Sequence, residues 1–203
     1  MNLSDKLKCY LERDIYKNNC FSKTIRLTTD DLEERYGPIS VRVLRHDNKV
    51  RECHLVDRLG ISRTFAVTFF GSDSRSSELT IIDQEIKFGN PIGKTLRKHK
   101  YSICKNVFEV LIIEIPDWLK IAFRDKRSYA KGKMSEILIH RENASIEVYG
   151  IIAEIYCPDF EPTESIEVEH IQEMPCSLLI SNKEIILLKE LFYKILETSH
   201  ICE

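Results

Sequence analysis

Apolar and polar side chains alternate with a period of two along much of the chain, which sends residues i and i+2 to the same face of a strand. "ISVRVLRH" and "VRECHLVD" flank Asp47-Asn48-Lys49 and predict a hairpin. "SRTFAVTFF", β-branched and aromatic, predicts the next strand, and "CKNVFEVLIIEI" a long one closed by Pro116. "GKMSEILIH" and "SIEVYGIIAEIYC" predict a second hairpin around Arg141-Glu142-Asn143. Helical spacing is confined to shorter stretches. Leu3, Leu7, Tyr10 and Leu11 predict a helix over 3–16, and "TTDDLEERYG" one capped by Thr29 or Asp30 and stopped by Gly37. "SSELTIIDQEIKFG" predicts another, and "NPIGKTLRKHK" a short helix starting near Pro91 or Ile92. "PDWLKIAF" reads as a turn or a helical turn. Ile185, Leu188, Leu191, Phe192 and Ile195 give a C-terminal helix over 181–197 its apolar stripe.

Antiparallel strands grouped this way, with helices to one side, predict a single α+β domain over 1–203 built on one sheet of about six strands. Residues 158–173 break the pattern: every charge there is acidic and two prolines punctuate it, so they read as an exposed loop or flap.

Composition changes this picture little. A chain of 203 residues is long enough to bury a sizeable core, and a formal net charge of −2 argues against general nucleic-acid binding. The N-terminus is charged and lacks an apolar signal segment, and no apolar run is long enough to span a bilayer. Seven cysteines stand singly, with no CxxC pair. They read as small buried hydrophobes in a reducing, cytoplasmic protein. No Gly-rich nucleotide loop, no HExxH and no GxSxG is present, so neither a bound metal nor a nucleotide or other cofactor is expected.

Three places carry candidate chemistry. Arg51 lies in "VRECHLVD" on the face it shares with Cys53 and Leu55, the side alternation sends to the core. A guanidinium cannot lose its charge, so it requires an anionic side chain or an anionic ligand there. In "NPIGKTLRKHK" the backbone N–H groups of Ile92 and Gly93 open a helix and are suited to an anion, with Lys94, Arg97, Lys98 and Lys100 adding positive charge or a solvated face. Glu154 sits inside the apolar strand "IIAEIYC", where either face would bury it; it marks a ligand contact or a structural salt bridge, with Arg51 as one partner. Lys105, at the start of a strand, has no role the pattern assigns, and His54, on the face opposite Arg51, reads as surface or edge.

Taken in order, these stretches resemble the chorismate pyruvate-lyase family, and most closely its divergent archaeal and bacterial branch. The resemblance rests on "SKT" at Ser22–Thr24, the Arg-bearing strand "VRECHL", "RTFAVTF", the turn "NPIGKTL" in place of "DPLG" or "TPLG", and "IAEIYCPDF". It covers roughly residues 3–160. Val67 stands where some members carry Arg, and Lys23 where others place an apolar residue. The resemblance implies an antiparallel six-stranded sheet with helical flaps over its ligand. It also implies cofactor-free cleavage of chorismate to 4-hydroxybenzoate and pyruvate. Arg51 would bind the ring carboxylate, with backbone N–H at Ile92 and the Lys23 position completing the clamp, and Glu154 would accept a hydrogen bond from the ring hydroxyl. Arg51 and Glu154 are thus the candidate catalytic residues. Lys94 and Arg97 would draw in a dianion and stabilise the departing enolpyruvate. The alternative is a non-catalytic domain of the same fold that binds an aromatic acid. The partner expected is a small-molecule acid, with neither nucleic acid nor membrane, and the oligomeric state, a homodimer included, is left open.

Overall fold

The structure is a computed structural model that describes residues 26–70, 77–141, 147–160 and 182–198. The helix expected over 3–16, Lys23, and residues 161–173 of the acidic stretch lie outside them. The elements run α1 (Thr28–Tyr36), β1 (Ser40–His46), β2 (Val50–Val56), β3 (Ser62–Phe70), α2 (Ser77–Lys87), α3 (Ile92–Lys98), β4 (Ser102–Glu114), α4 (Asp117–Phe123), β5 (Tyr129–His140), β6 (Glu147–Tyr156) and α5 (Asn182–Thr198). The strands form one antiparallel sheet in the order β1-β2-β3-β6-β5-β4. Two three-stranded meanders are therefore joined where β3 meets β6, and this junction brings residues 64–70 beside residues 150–156.

The helices do not keep to one side. Leu79, Ile82 and Ile86 of α2 and Ile92 and Leu96 of α3 pack on Ile103, Ile137 and Ile139 of one sheet face. Leu119 and Phe123 of α4 and Phe192, Ile195 and Leu196 of α5 pack with Phe65, Val67, Met134, Ala153 and Ile155 on the other. The cause is legible in the central strands. β3 is buried on both faces and β6 over its C-terminal half, and each face needs its own cover. Among the described residues, no helix is long and apolar enough to cross a membrane.

Local departures from strict alternation have local causes. In β5–β6, Ile137 pairs with Gly150 but Leu138 pairs with Val148, which leaves Tyr149 as the extra residue of a bulge. Tyr149 joins the α2 side, its hydroxyl donating to Asp83 Oδ1 at 2.7 Å. A Cβ on Gly150 would lie 2.5 Å from the Phe69 carbonyl oxygen, so only glycine fits beside β3 there. Helix α1 starts earlier than Thr29: its N-cap is Leu27, and Asp30 reaches back from the third helical position to accept the Leu27 N–H at 3.2 Å. Cys53 and Cys157 are free and buried, whereas Cys104 departs from the expectation and is disulfide-bonded. His54 is likewise no surface residue: it is 6 % exposed, its Nδ1 lying 2.7 Å from Ser62 Oγ.

Candidate ligand-binding site

The face under α2 and α3 carries a row of residues set by register. Arg51 of β2 stands opposite Thr68 of β3, which stands opposite Ile152 of β6. One pleat repeat along, Cys53, Ala66 and Glu154 form the next row. Arg51 and Glu154 are thus two strand spacings and two residues apart, roughly 12 Å between their backbones at about 4.8 Å per strand and 3.3 Å per residue. Cys53 and Ala66, both small, form the floor between them.

Over this floor lies a cavity. Its lining includes Arg51, Cys53, Ala66 and Glu154 from the sheet, and Pro91, Ile92 and Gly93 from the start of α3. Leu27, Thr28 and Thr29 at the start of α1 close it, with Leu55, Leu96, Ile103, Ile137 and Ile152 as apolar walls. The space open to the centre of a water-sized molecule is about 70 Å³, against the roughly 10–15 Å³ that a single water requires. A small organic molecule, not a solitary water, is what the space suits.

Arg51 is 2 % exposed. Its Nη2 donates to the backbone carbonyls of Ile86 and Asn90, each at 3.3 Å, where α2 ends and α3 begins. Its Nε is buried without an acceptor, and among the described residues no carboxylate pairs with it. A guanidinium taken out of water with only two long bonds to neutral carbonyls is left short of an anion.

Glu154 is 3 % exposed, and its partner is not Arg51. Lys105 Nζ donates to Glu154 Oε2 at 2.7 Å and the Tyr156 hydroxyl donates to the same oxygen at 2.9 Å. Burial would push the Glu154 carboxyl up. The ammonium groups of Lys105 and Lys133, with the two hydrogen bonds, outweigh burial and take it down to about 2. Glu154 is therefore ionised, a hydrogen-bond acceptor and a weak base. Cys53 lies between the two ends. Its thiol is pushed up by burial, pulled back by Arg51 and pushed up again by Glu154, so it stays protonated.

The α3 residues divide. Ile92 and Gly93 line the cavity, and the first intrahelical bond runs from the Thr95 N–H to the Pro91 carbonyl, so neither of their N–H groups is used inside the helix. Gly93 has a second reason to be glycine: a Cβ there would lie 2.6 Å from Leu27 Cδ2. Lys94 and Arg97 do not line the cavity. Lys94 pairs with Glu33, and Arg97 Nη1 lies 3.0 Å from Asp30 Oδ2, which straps α3 to α1. Both pairs are partly exposed, so each contributes about 0–1 kcal/mol. The double variant K94A/R97A is expected to stay folded in thermal melts. Measured by calorimetry, its affinity for an acid in the cavity should change by less than about fivefold at physiological salt, because the screened field of a remote charge is weak.

Lys105 is the site residue that sequence reasoning missed. It comes from β4, two strands from Glu154 and 49 positions away in the chain. Its signal was a lysine on the cavity-facing side of an otherwise apolar half-strand, paired with Ile137. Among the described residues no group of His, Cys, Asp and Glu is arranged to hold a metal ion. Comparison with protein-family models and with curated proteins finds no match.

Proposed function

We propose that this protein is a chorismate pyruvate-lyase, cleaving chorismate to 4-hydroxybenzoate and pyruvate in the cavity between Arg51 and Glu154. The observation that carries the reading is the buried guanidinium of Arg51, which faces an apolar cavity without a carboxylate partner among the described residues. A planar carboxylate meets a guanidinium fork in two places. Support also comes from the floor of small residues, Cys53 and Ala66, and from an ionised Glu154 at the other side. The six-stranded antiparallel sheet is of the kind the resemblance implies.

In the reaction, the ether C–O bond beside the hydroxyl-bearing ring carbon breaks and that carbon gives up its hydrogen as the ring becomes aromatic. The enolpyruvate takes up a proton at its methylene carbon to become pyruvate. Aromatisation supplies the driving force, so holding the substrate in a reactive conformation accounts for much of the acceleration. Arg51 fixes the ring carboxylate and Glu154 accepts from the ring hydroxyl. Lys94 and Arg97, tied to α1, have no direct part.

The test is metal-free incubation of the purified protein with chorismate, following both products. Equal, enzyme-dependent amounts of 4-hydroxybenzoate and pyruvate are expected. No turnover together with binding of 4-hydroxybenzoate would replace the lyase by an aromatic-acid carrier, and neither would end both readings.

A further inference from the structure

Two donors meet on one oxygen of Glu154. Lys105 Nζ and the Tyr156 hydroxyl both bond Oε2, and Oε1 accepts no hydrogen bond from the described residues. Lys105 itself lines the cavity and is anchored at a second point, donating to Thr28 Oγ1 at 3.2 Å. It thus ties the start of α1 to the floor and fixes which way the Glu154 carboxylate turns.

We infer that Lys105 is a positioning residue that makes Glu154 Oε1 a fixed acceptor, so that the cavity selects acids presenting a hydroxyl donor over acids presenting no donor or a second carboxylate. The inference rests on the small-acid reading of the cavity above and adds to it the origin of its selectivity. A buried site built to accept a hydrogen bond rejects an analogue lacking the donor, because the acceptor is then left dry and unpaired. A second carboxylate would meet like charge at Oε1. The groups facing Glu154 are Lys105 of β4, Lys133 of β5, Tyr156 of β6 and Cys53 of β2, with Arg51 beyond Cys53. Of these, Lys105 alone gives Glu154 both a hydrogen bond and a full charge among the contacts seen. Without it, burial acts on Glu154 with less opposition, and the carboxyl is pushed up, towards the protonated form that donates instead of accepting.

The experiment compares 4-hydroxybenzoate, benzoate and terephthalate by calorimetry on wild type and K105M at pH 5 and pH 8. A ligand-free carbon-13 NMR titration of Glu154 accompanies it. Wild type is expected to favour 4-hydroxybenzoate over benzoate by at least about tenfold at both pH values, with terephthalate weakest. In K105M the preference should fall at least several-fold, most at pH 5, and the Glu154 titration should move up. The ratio is taken within one protein, so loss of folded fraction cancels. Should K105M not fold, K105L, which likewise removes both the charge and the donor, reads the same ratio. An unchanged ratio, or an unmoved Glu154 titration, overturns the inference while leaving the pocket reading intact. Wild type binding none of the three acids removes the pocket reading and this inference together.

Discussion

Replacing Arg51 by Met should abolish acid binding and leave the ligand-free protein at least as stable as the wild type. The two halves of this result have different origins. A ligand carboxylate that loses its buried guanidinium forfeits about 2–5 kcal/mol, roughly thirty- to several-thousand-fold in affinity. In the ligand-free fold, Arg51 is a charge out of water whose bonds are to the carbonyls of Ile86 and Asn90. Losing two bonds of 3.3 Å costs on the order of 1 kcal/mol, whereas removing an uncompensated buried charge recovers several. Met keeps most of the volume, so no large cavity opens. Calorimetry with 4-hydroxybenzoate and urea unfolding of both proteins would check it. If R51M were strongly destabilised and still bound acid, Arg51 would be a structural cation, and the site would have to be sought elsewhere.

Half of the site was legible in the sequence. Alternation within "VRECHL" places Arg51 on the face of Cys53 and Leu55, and the fold keeps it there because β2 is an interior strand with both faces buried. Glu154 was legible for the same reason, as a carboxyl in a strand with no wet face. Its partner was not. Lys105 reaches it only across β5, through the registers in which β4 pairs with β5 and β5 with β6, which no local pattern encodes. The same gap explains Lys94 and Arg97: the basic run on α3 is visible, but the acids of α1 that neutralise it come from 61 and 67 positions away. The placement of helices on both faces was implicit in β6, whose second half, "IIAEIY", is largely apolar on both faces. His54 was misplaced because its face of β2 carries Glu52 and Arg42 lies across the ladder, which made that face look wet; Phe65 and Trp118 cover it instead. Glu136 carries the same signal as Glu154, an acid inside "SEILIH".

Glu136 and His54 should nearly cancel each other's contribution to the pH dependence of stability between about 4.5 and 6.5, and each substitution should expose the slope of the other. Glu136 is 1 % exposed and neither carboxyl oxygen has a partner; burial pushes it up from 4.5 to about 7, with only Asn106 across the ladder pulling it back. His54, buried against Phe65 and Trp118 and facing Arg42, is pushed down from 6.5 to about 4. At pH 4.5–7 folded Glu136 holds a proton that the unfolded chain has released, so stability falls as pH rises, by about 3 kcal/mol in all. At pH 4–6.5 the unfolded chain holds a proton on His54 that the folded protein lacks, so stability rises by a similar amount. The slopes oppose each other over the shared window. E136Q, which mimics the protonated acid, should therefore gain about 3 kcal/mol of stability between pH 4 and 6.5. H54N, whose amide can still meet Ser62, should start less stable and lose about 3 kcal/mol between pH 4.5 and 7. His46, also lowered by burial, adds a rise common to all three proteins, and the lowered carboxylates of Asp47, Asp57 and Glu154 titrate below the window. Urea unfolding at four pH values on the three proteins measures the slopes. Parallel curves for E136Q and wild type would mean that Glu136 is charged in the fold and has found a partner. Curves that diverge with pH would place a neutral acid in the core, on the face of the sheet opposite the cavity.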